Sequence, residues 1–278
     1  MERDLEEQVV GSPVRDEAAQ MGERRSTAQS HVRIGDVTKT YQLKGDAIEA
    51  IRSISFQIER GGFVSILGPS GCGKSTLLMM LAGIEGVTSG TIAINGTPVA
   101  GPRRETSVVF QTPTLFPWRT VRANVLFPIE VFRGDRQRAH EEASKLLEMT
   151  GLTGFENRLP EQLSGGMVQR VSLCRALITD PELLLMDEPF SALDALTRDD
   201  LGLELQRVWE RNRKTVVFVT HSIREAVFLS DRVIVLSPRP AVIARDLAID
   251  LPRPRSLEIQ ETAKFNRYCA DLRAALGR

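Results

Sequence analysis

The residues with the clearest chemistry lie in one glycine-rich stretch, Gly-Pro-Ser-Gly-Cys-Gly-Lys-Ser at residues 68–75. This stretch fits the pattern G-x-x-x-x-G-K-[ST] of loops that bind phosphates. Glycines let the backbone curl so that successive N–H groups face a polyphosphate, and a helix from about Gly73 adds its positive N-terminal end. We expect Lys74 to reach the β- and γ-phosphates and the Ser75 hydroxyl to bind Mg²⁺. The residues expected to contact the polyphosphate ligand are Gly68, Pro69, Ser70, Gly71, Cys72, Gly73, Lys74, Ser75 and Thr76.

The alternative for residues 68–75 is an ordinary glycine-rich turn that carries a surface lysine. The flanking sequence argues against this alternative, because residues 63–67 are mostly apolar and include β-branched types, whereas residues 77–82 favour a helix. A phosphate-binding loop requires that order of strand, loop and helix.

Three more reactive side chains follow apolar, strand-like segments. Asp187 and Glu188 end an apolar run that is typical of a central parallel strand, and His221 follows a similar run at residues 215–220. Ligands of such sheets bind at the carboxyl ends of the strands. Asp187 is therefore expected to hold Mg²⁺, Glu188 to act as general base towards water, and His221 to contact the γ-phosphate. The alternatives are a solvated acidic pair and a structural histidine.

A second glycine-bearing helix start occurs at Ser164, Gly165 and Gly166, where Ser164 suits an N-cap. It offers a second anion site, although this feature taken alone favours a capped turn without a ligand. Tyr41 lies between two early strand-like segments, where it could stack on an adenine or serve as an edge-strand aromatic.

The elements that must position these residues alternate between strand-like and helix-like patterns. Early strands are predicted at residues 31–34 and 47–58, and a mostly helical insert at about 121–178. We therefore expect an α/β fold with a mainly parallel sheet, an N-terminal antiparallel β subdomain and an inserted α-helical subdomain. The predicted domains are a disordered extension at 1–30, a main domain at 31–255 with its helical subdomain at about 115–180, and an amphipathic C-terminal helix at 256–278.

Composition restricts the function classes. The 278 residues carry 36 basic and 36 acidic side chains, so no overall positive charge argues for nucleic acid. Three widely separated cysteines lack metal-ligand spacing and are typical of reduced thiols in a cytosolic protein. No apolar run approaches the ~18 residues that would indicate a membrane span, and the acidic N-terminus does not resemble a secretory signal. We expect any work at a membrane to proceed through a partner.

The four motifs together, in the order 68–75, 163–167, 183–188 and 221, resemble an ATP-binding cassette (ABC) ATPase subunit with a P-loop NTPase core. The resemblance covers about residues 32–250, and the Leu-Ser-Gly-Gly-Met sequence at 163–167 is its most specific part. Met167 stands where this family more usually has glutamine.

The resemblance implies roles for particular residues and the cofactors ATP and Mg²⁺. Tyr41 would stack on adenine, and Gln111 would contact Mg²⁺ and the attacking water and sense a transport partner. Asp194 would belong to the loop that pairs two nucleotide-binding domains, and His221 would be the switch histidine. Ser164, Gly165 and Gly166 would close over ATP bound by the second subunit of a head-to-tail dimer.

A finer resemblance points to importers of nitrate, sulfonates and taurine, carried by Phe116-Pro117-Trp118 and the proline- and arginine-rich segments 235–240 and 251–255. It implies transmembrane permease subunits, a periplasmic solute-binding protein and a peripheral location on the cytoplasmic face of the inner membrane. The apolar residues Leu115, Phe116 and Trp118 would then dock the permease, or form ordinary local core. The remaining alternatives are a soluble ABC ATPase acting on nucleic acid or ribosomes, a non-hydrolysing regulatory module and an exporter subunit.

Overall fold

A computed structural model describes residues 30–43 and 45–277 of the chain. The described residues form a ten-stranded sheet in the spatial order β5-β4-β1-β2-β10-β9-β3-β8-β7-β6. The strands are β1 Ser30–Leu43, β2 Asp46–Glu59, β3 Phe63–Leu67, β4 Ser89–Ile94, β5 Thr97–Pro98, β6 Thr106–Val109, β7 Leu183–Asp187, β8 Thr215–Thr220, β9 Arg232–Leu236 and β10 Ala241–Ala248. The extension predicted at 1–30 lies outside the described residues except for Ser30, which begins β1.

The parallel part of the sheet brings the predicted reactive residues to one edge. β3 pairs in parallel with β8 and β9, and β7 pairs in parallel with β6 and β8. In this register Leu67 lies opposite Thr220, and Asp187 lies opposite Val219. The loop after β3, the acids after β7 and the histidine after β8 therefore leave the sheet side by side.

The antiparallel part is built on the long hairpin of β1 and β2, with β4 and β5 added beyond β1. β10 joins the two parts, because it pairs antiparallel with β9 and in parallel with β2. The predicted combination of a mainly parallel core sheet and an N-terminal antiparallel β region is confirmed.

Seven α-helices of the described residues flank the sheet. They are α1 Lys74–Leu81, α2 Val121–Phe132, α3 Arg136–Met149, α4 Gly165–Leu177, α5 Ala195–Asn212, α6 Ile223–Leu229 and α7 Ala263–Ala275. The segment predicted as mostly helical contains α2 to α4 and a short 3-10 turn at Pro160–Gln162. No helix within 30–43 and 45–277 combines the length and the apolar composition that crossing a bilayer would require.

The central strands are buried on both faces, which explains their nearly continuous apolar sequences. Phe63 and Leu67 of β3 point into the core beneath α2 to α6, whereas Val64 and Ile66 point into the core shared with α1 and the antiparallel strands. The two layers of core fix the carboxyl ends of β3, β7 and β8 from both sides, so the site rests on rigid elements.

The C-terminal segment differs from the single helix predicted at 256–278. A 3-10 turn at Leu257–Glu261 precedes α7, and the Thr262 hydroxyl between them accepts a hydrogen bond from the Phe265 N–H. Thr262 is therefore an N-cap that starts a new helix. Phe265 and Leu272 are completely buried, so α7 docks on the domain through its apolar face.

Candidate active site

The phosphate loop, residues 68–75, has a backbone that only glycine accepts at several points. Gly71 and Gly73 have φ angles of 73° and 115°, in the left-handed region. A Cβ atom on Gly73 would lie 3.3 Å from the Ile51 side chain, and one on Gly68 would lie 2.8 Å from the Cys72 sulfur. The loop is thus tightly packed against β2 and against itself, and α1 begins directly after it at Lys74.

Lys74 lies across the inside of the phosphate loop. Its side chain is 5% exposed, and Nζ donates hydrogen bonds of 3.0 Å to the carbonyl oxygens of Gly68 and Pro69. Nζ also lies 3.4 Å from Oε1 of Glu188. A buried ammonium needs such partners, because burial without them would strongly disfavour its charge.

Ser75 and Asp187 bring two oxygen ligands together beside Lys74. The Ser75 hydroxyl donates a 2.9 Å hydrogen bond to Oδ1 of Asp187. Burial raises the pKa of Asp187 above its usual value, and the Ser75 hydrogen bond and the nearby Lys74 charge oppose this rise. A hydroxyl and a carboxylate are hard oxygen ligands that fit Mg²⁺, which typically uses one or two protein groups together with substrate phosphates.

Glu188 connects the lysine to the histidine. Its Oε2 accepts a 2.8 Å hydrogen bond from Nδ1 of His221, and its Oε1 faces Lys74. The backbone of Glu188 has a φ of 43°, and its N–H donates to the Val219 carbonyl of the neighbouring strand. A left-handed non-glycine residue is strained, so this position is held by its surroundings. The carboxylate is 15% exposed, and the His221 side chain is 56% exposed, so both face the open edge.

Three other predicted residues lie apart from this group. Gln111 is exposed, and its Nε2 is 3.4 Å from the Ser191 hydroxyl, in the loop before α5. Tyr41 lies half-buried in β1 with the Lys39 ammonium 4.8 Å from its ring centre. Asp194 is the N-cap of α5 and accepts hydrogen bonds from the Thr197 backbone and hydroxyl, which lower its pKa.

The start of α4 is a second helix N-terminus, and it lies apart from the phosphate loop. The Ser164 hydroxyl accepts a hydrogen bond of 3.3 Å from the Met167 N–H. Gly165 is exposed, with open space where a Cβ would be, whereas a Cβ on Gly166 would lie 2.5 Å from Cγ2 of Thr197. Among the residues that the structure describes, no hydrogen bond joins residues 164–166 to the phosphate loop.

Comparison with known proteins identifies the family. The model of the ABC transporter family matches residues 51–191. The chain belongs to the ABC transporter family. An uncharacterised ABC transporter ATP-binding protein of Methanocaldococcus jannaschii is 46% identical over 87% of this chain and 91% of its own length.

Two further relatives of this ABC chain have names that refer to import. An aliphatic sulfonates import ATP-binding protein, SsuB of Bacillus cereus, is 41% identical over 81% of this chain and 88% of its own length. A nitrate import ATP-binding protein, NrtD of Synechocystis, is 40% identical over 88% of this chain and 95% of its own length.

Among solved structures, an ATP-binding cassette in a dimeric post-hydrolysis state with ADP and Pi matches with a TM-score of 0.70. It is 32% identical and covers 80% of this chain and 100% of its own. The expected ABC ATPase with an α/β nucleotide-binding fold is confirmed, and this chain binds and hydrolyses ATP.

A polar network beneath His221 of this ABC ATPase was not predicted from the sequence. The Thr220 hydroxyl donates a 2.6 Å hydrogen bond to Glu225 and accepts one from the Ser222 N–H. Burial raises the pKa of Glu225, and Arg198 of α5 lies 3.5 Å from its other oxygen. The spacing Ser222-x-x-Glu225 is that of a capping box and could have drawn attention to Glu225. The glutamate, however, bonds to Thr220.

A second missed residue of the ABC chain is Arg239, in the turn between β9 and β10. Its guanidinium donates to the Gly71 carbonyl oxygen in the phosphate loop. The two partners are 168 positions apart in the sequence, so no local sequence signal indicates this contact.

Met167, where glutamine was the more usual residue, is half-buried and packs against the core beneath α2 to α6. Its apolar side chain therefore contributes to seating α4.

Proposed function

We propose that this ABC ATPase energises the import of a small oxyanion-bearing solute, such as nitrate, a sulfonate or taurine, through a partner permease. The observation that carries the proposal is the identity of 40% and 41% to nitrate and sulfonate import ATP-binding proteins over 88% and 81% of the chain. The solute itself would be selected by the permease and a periplasmic solute-binding protein, which this subunit would serve from the cytoplasmic face of the inner membrane.

In the proposed ATP hydrolysis, each candidate residue at this edge of the sheet has its own role. The phosphate loop and Lys74 bind the β- and γ-phosphates, and Tyr41 stacks on the adenine. Ser75 and Asp187, with Gln111, would hold Mg²⁺, which supplies positive charge to the transferred phosphoryl group. Glu188 accepts the proton of the attacking water, and its hydrogen bond to His221 keeps the carboxylate oriented. His221 then lies within reach of the γ-phosphate.

A second ATPase subunit would complete the site. The exposed N-terminus of α4, with Ser164, Gly165 and Gly166, offers N–H groups and a helix dipole to the γ-phosphate held by the partner. This accounts for a capped glycine start that makes no hydrogen bond to the phosphate loop within residues 30–43 and 45–277. Asp194 and the loop before α5 would lie beside the same partner.

A surface of the helical insert suits docking of a permease. Trp118 is 72% exposed, and its ring lies 5.5 Å from Phe116, which in turn lies 4.6 Å from Phe127. The completely buried Asn124 holds this loop, because its amide accepts from the Phe116 N–H and donates to the Phe116 carbonyl. An exposed aromatic side chain on a fixed loop is typical of a contact for another protein.

Reconstitution tests the proposal most directly. The chain would be assembled in vesicles with a candidate permease and a candidate solute-binding protein, and phosphate release measured with nitrate, sulfonates, taurine and pyrimidine precursors. We expect one solute class to stimulate hydrolysis, with the Glu188→Gln assembly as the inactive control. Stimulation of hydrolysis by DNA or ribosomes without a permease would refute the proposed importer function, and so would export of the solute. Neither result would contradict the ATPase activity.

A further inference from the structure

The turn between β9 and β10 lies directly on the phosphate loop. A Cβ on Gly68 would lie 3.1 Å from the Leu236 carbonyl oxygen, at the end of β9. The turn itself is fixed by Ser237, whose hydroxyl donates to the Pro238 carbonyl and accepts from the Val242 N–H. The residues of this turn are therefore held at a defined position beside the loop.

From that position, Arg239 forms hydrogen bonds to the phosphate loop. Its Nε and Nη2 donate to the Gly71 carbonyl oxygen at 3.2 and 2.6 Å. Gly71 is exposed and has a φ of 73°, and because it is a glycine it has no side chain that could restrain it. Two donors of a rigid guanidinium on one oxygen fix the direction of that carbonyl better than a flexible lysine could.

The direction of the Gly71 carbonyl decides what the loop offers to a phosphate. Because the peptide bond is planar, the Gly71 carbonyl and the Cys72 N–H point to opposite sides of one unit. Holding the carbonyl on the side of Arg239 turns the Cys72 N–H the other way, where it donates a hydrogen bond of 3.3 Å (N···O) to the Pro69 carbonyl oxygen, the same oxygen that Lys74 Nζ contacts inside the loop. Phosphate-binding loops depend on such inward N–H groups.

We propose that Arg239 is a positioning residue that preorganises the phosphate loop and thereby sets its affinity for the phosphates of the nucleotide. Holding the loop in its curled form before the ligand arrives removes part of the ordering cost of binding. Because Arg239 acts through the phosphate loop, it should change the affinity for the phosphates of the nucleotide and not the affinity for its adenine.

Binding measurements on purified Arg239→Ala test this proposal. The matched control is Arg245→Ala, which removes an exposed arginine of β10 that has no side-chain hydrogen bond or ion pair within the described residues. Dissociation constants would be measured for ATP and, by competition, for inorganic triphosphate, which lacks the base and ribose. We expect both to rise about tenfold in Arg239→Ala, the factor for one charge-assisted hydrogen bond, and to stay unchanged in the control.

The outcomes separate positioning from a merely structural role. Equal weakening of ATP and triphosphate, with an unchanged thermal midpoint of the ligand-free protein, supports the proposal, as does an intermediate affinity of Arg239→Lys. Unchanged affinities overturn it. Weakening of ATP alone overturns it as well, because the arginine would then act on the base or ribose. Should the alanine variant not fold, Arg239→Gln is measured in the same two assays.

Discussion

The N-termini of α1 and α4 differ in what surrounds them, although a glycine lies at or directly before the start of each helix. At α1, Lys74 and Ser75 reach Glu188 and Asp187 through contacts within the chain. At α4, Ser164 caps its own helix and Gly165 faces open space. The first N-terminus is surrounded by reactive groups, and the second is presented outwards.

This difference shows which functional groups lie together within one subunit and which are presented to another. The residues suited to holding a metal and activating water are gathered within a single subunit by the parallel strands. A second cap that is ordered and open, with no hydrogen bond to the phosphate loop among the described residues, is suited to act on a ligand held elsewhere. The following predictions test this division, beginning with the largest expected effect.

Glu188→Gln should strongly reduce ATP hydrolysis at the site beside α1 but leave ATP binding intact. The amide oxygen can still accept from His221 but cannot take a proton from water. We expect ATP hydrolysis to fall at least about 100-fold, the usual contribution of a general base. Phosphate release and equilibrium ATP binding would be measured, and ATP-bound dimers should accumulate. Hydrolysis near the normal rate would exclude Glu188 from this role.

Gly165→Asp should separate folding from function at α4. A carboxylate in the first turn favours the helix dipole by about 0.3–1 kcal/mol, so the free energy of unfolding should not fall. The same charge would repel a phosphate held by the partner, and we expect hydrolysis to fall more than about tenfold.

Gly165→Ala is the matched control for this charge, because it adds only a methyl group where the chain leaves open space. Full hydrolysis by the aspartate variant would mean that no phosphate approaches this helix start.

Ser164→Ala should cost stability at α4 by removing the hydrogen bond from the Met167 N–H. Loss of such a cap lowers the free energy of unfolding by about 1 kcal/mol, which urea unfolding can measure. Ser164→Gly loses only a few tenths of a kcal/mol, because glycine tolerates the cap backbone. Normal hydrolysis by a stable glycine variant would show that the hydroxyl serves only as a cap.

His31 gives a pH-dependent reference remote from both helix starts. Burial lowers its pKa below 6.5, with the Arg60 charge contributing. The unfolded chain therefore binds the proton more readily, and this group's contribution to stability is lost as pH falls from 6.5 towards the native pKa. The difference in unfolding free energy between wild type and His31→Gln should shrink over that interval. The affinity for ATP should not change. A loss of ATP affinity over the same pH interval in wild type but not in His31→Gln would contradict the view that His31 affects only stability.

Much of the site was predictable, because parallel strands deliver their carboxyl ends to one edge. Apolar runs before residues 68, 187 and 221 were enough to place the phosphate loop, Glu188 and His221 in one group. The division of the C-terminal helix at Thr262 was missed, since a threonine N-cap is easily read as part of a polar helix face.

Contacts between distant parts of the chain account for most of what the sequence did not reveal. The hydrogen bonds of Arg239 to the Gly71 carbonyl depend on which turns the sheet brings together. Asp194 illustrates a different limit. Its cap on α5 is a local feature that the sequence could have indicated, whereas any contact with a second subunit depends on a chain outside this one.

The left-handed backbone of Glu188 has an evolutionary consequence. Asparagine would relax this position, and its amide oxygen could still face the Lys74 ammonium, so this replacement is expected to make the protein more heat-resistant as it becomes inactive. A laboratory selection for thermal tolerance alone would therefore enrich such replacements. Any attempt to raise the thermal stability of this subunit must therefore keep Glu188 unchanged.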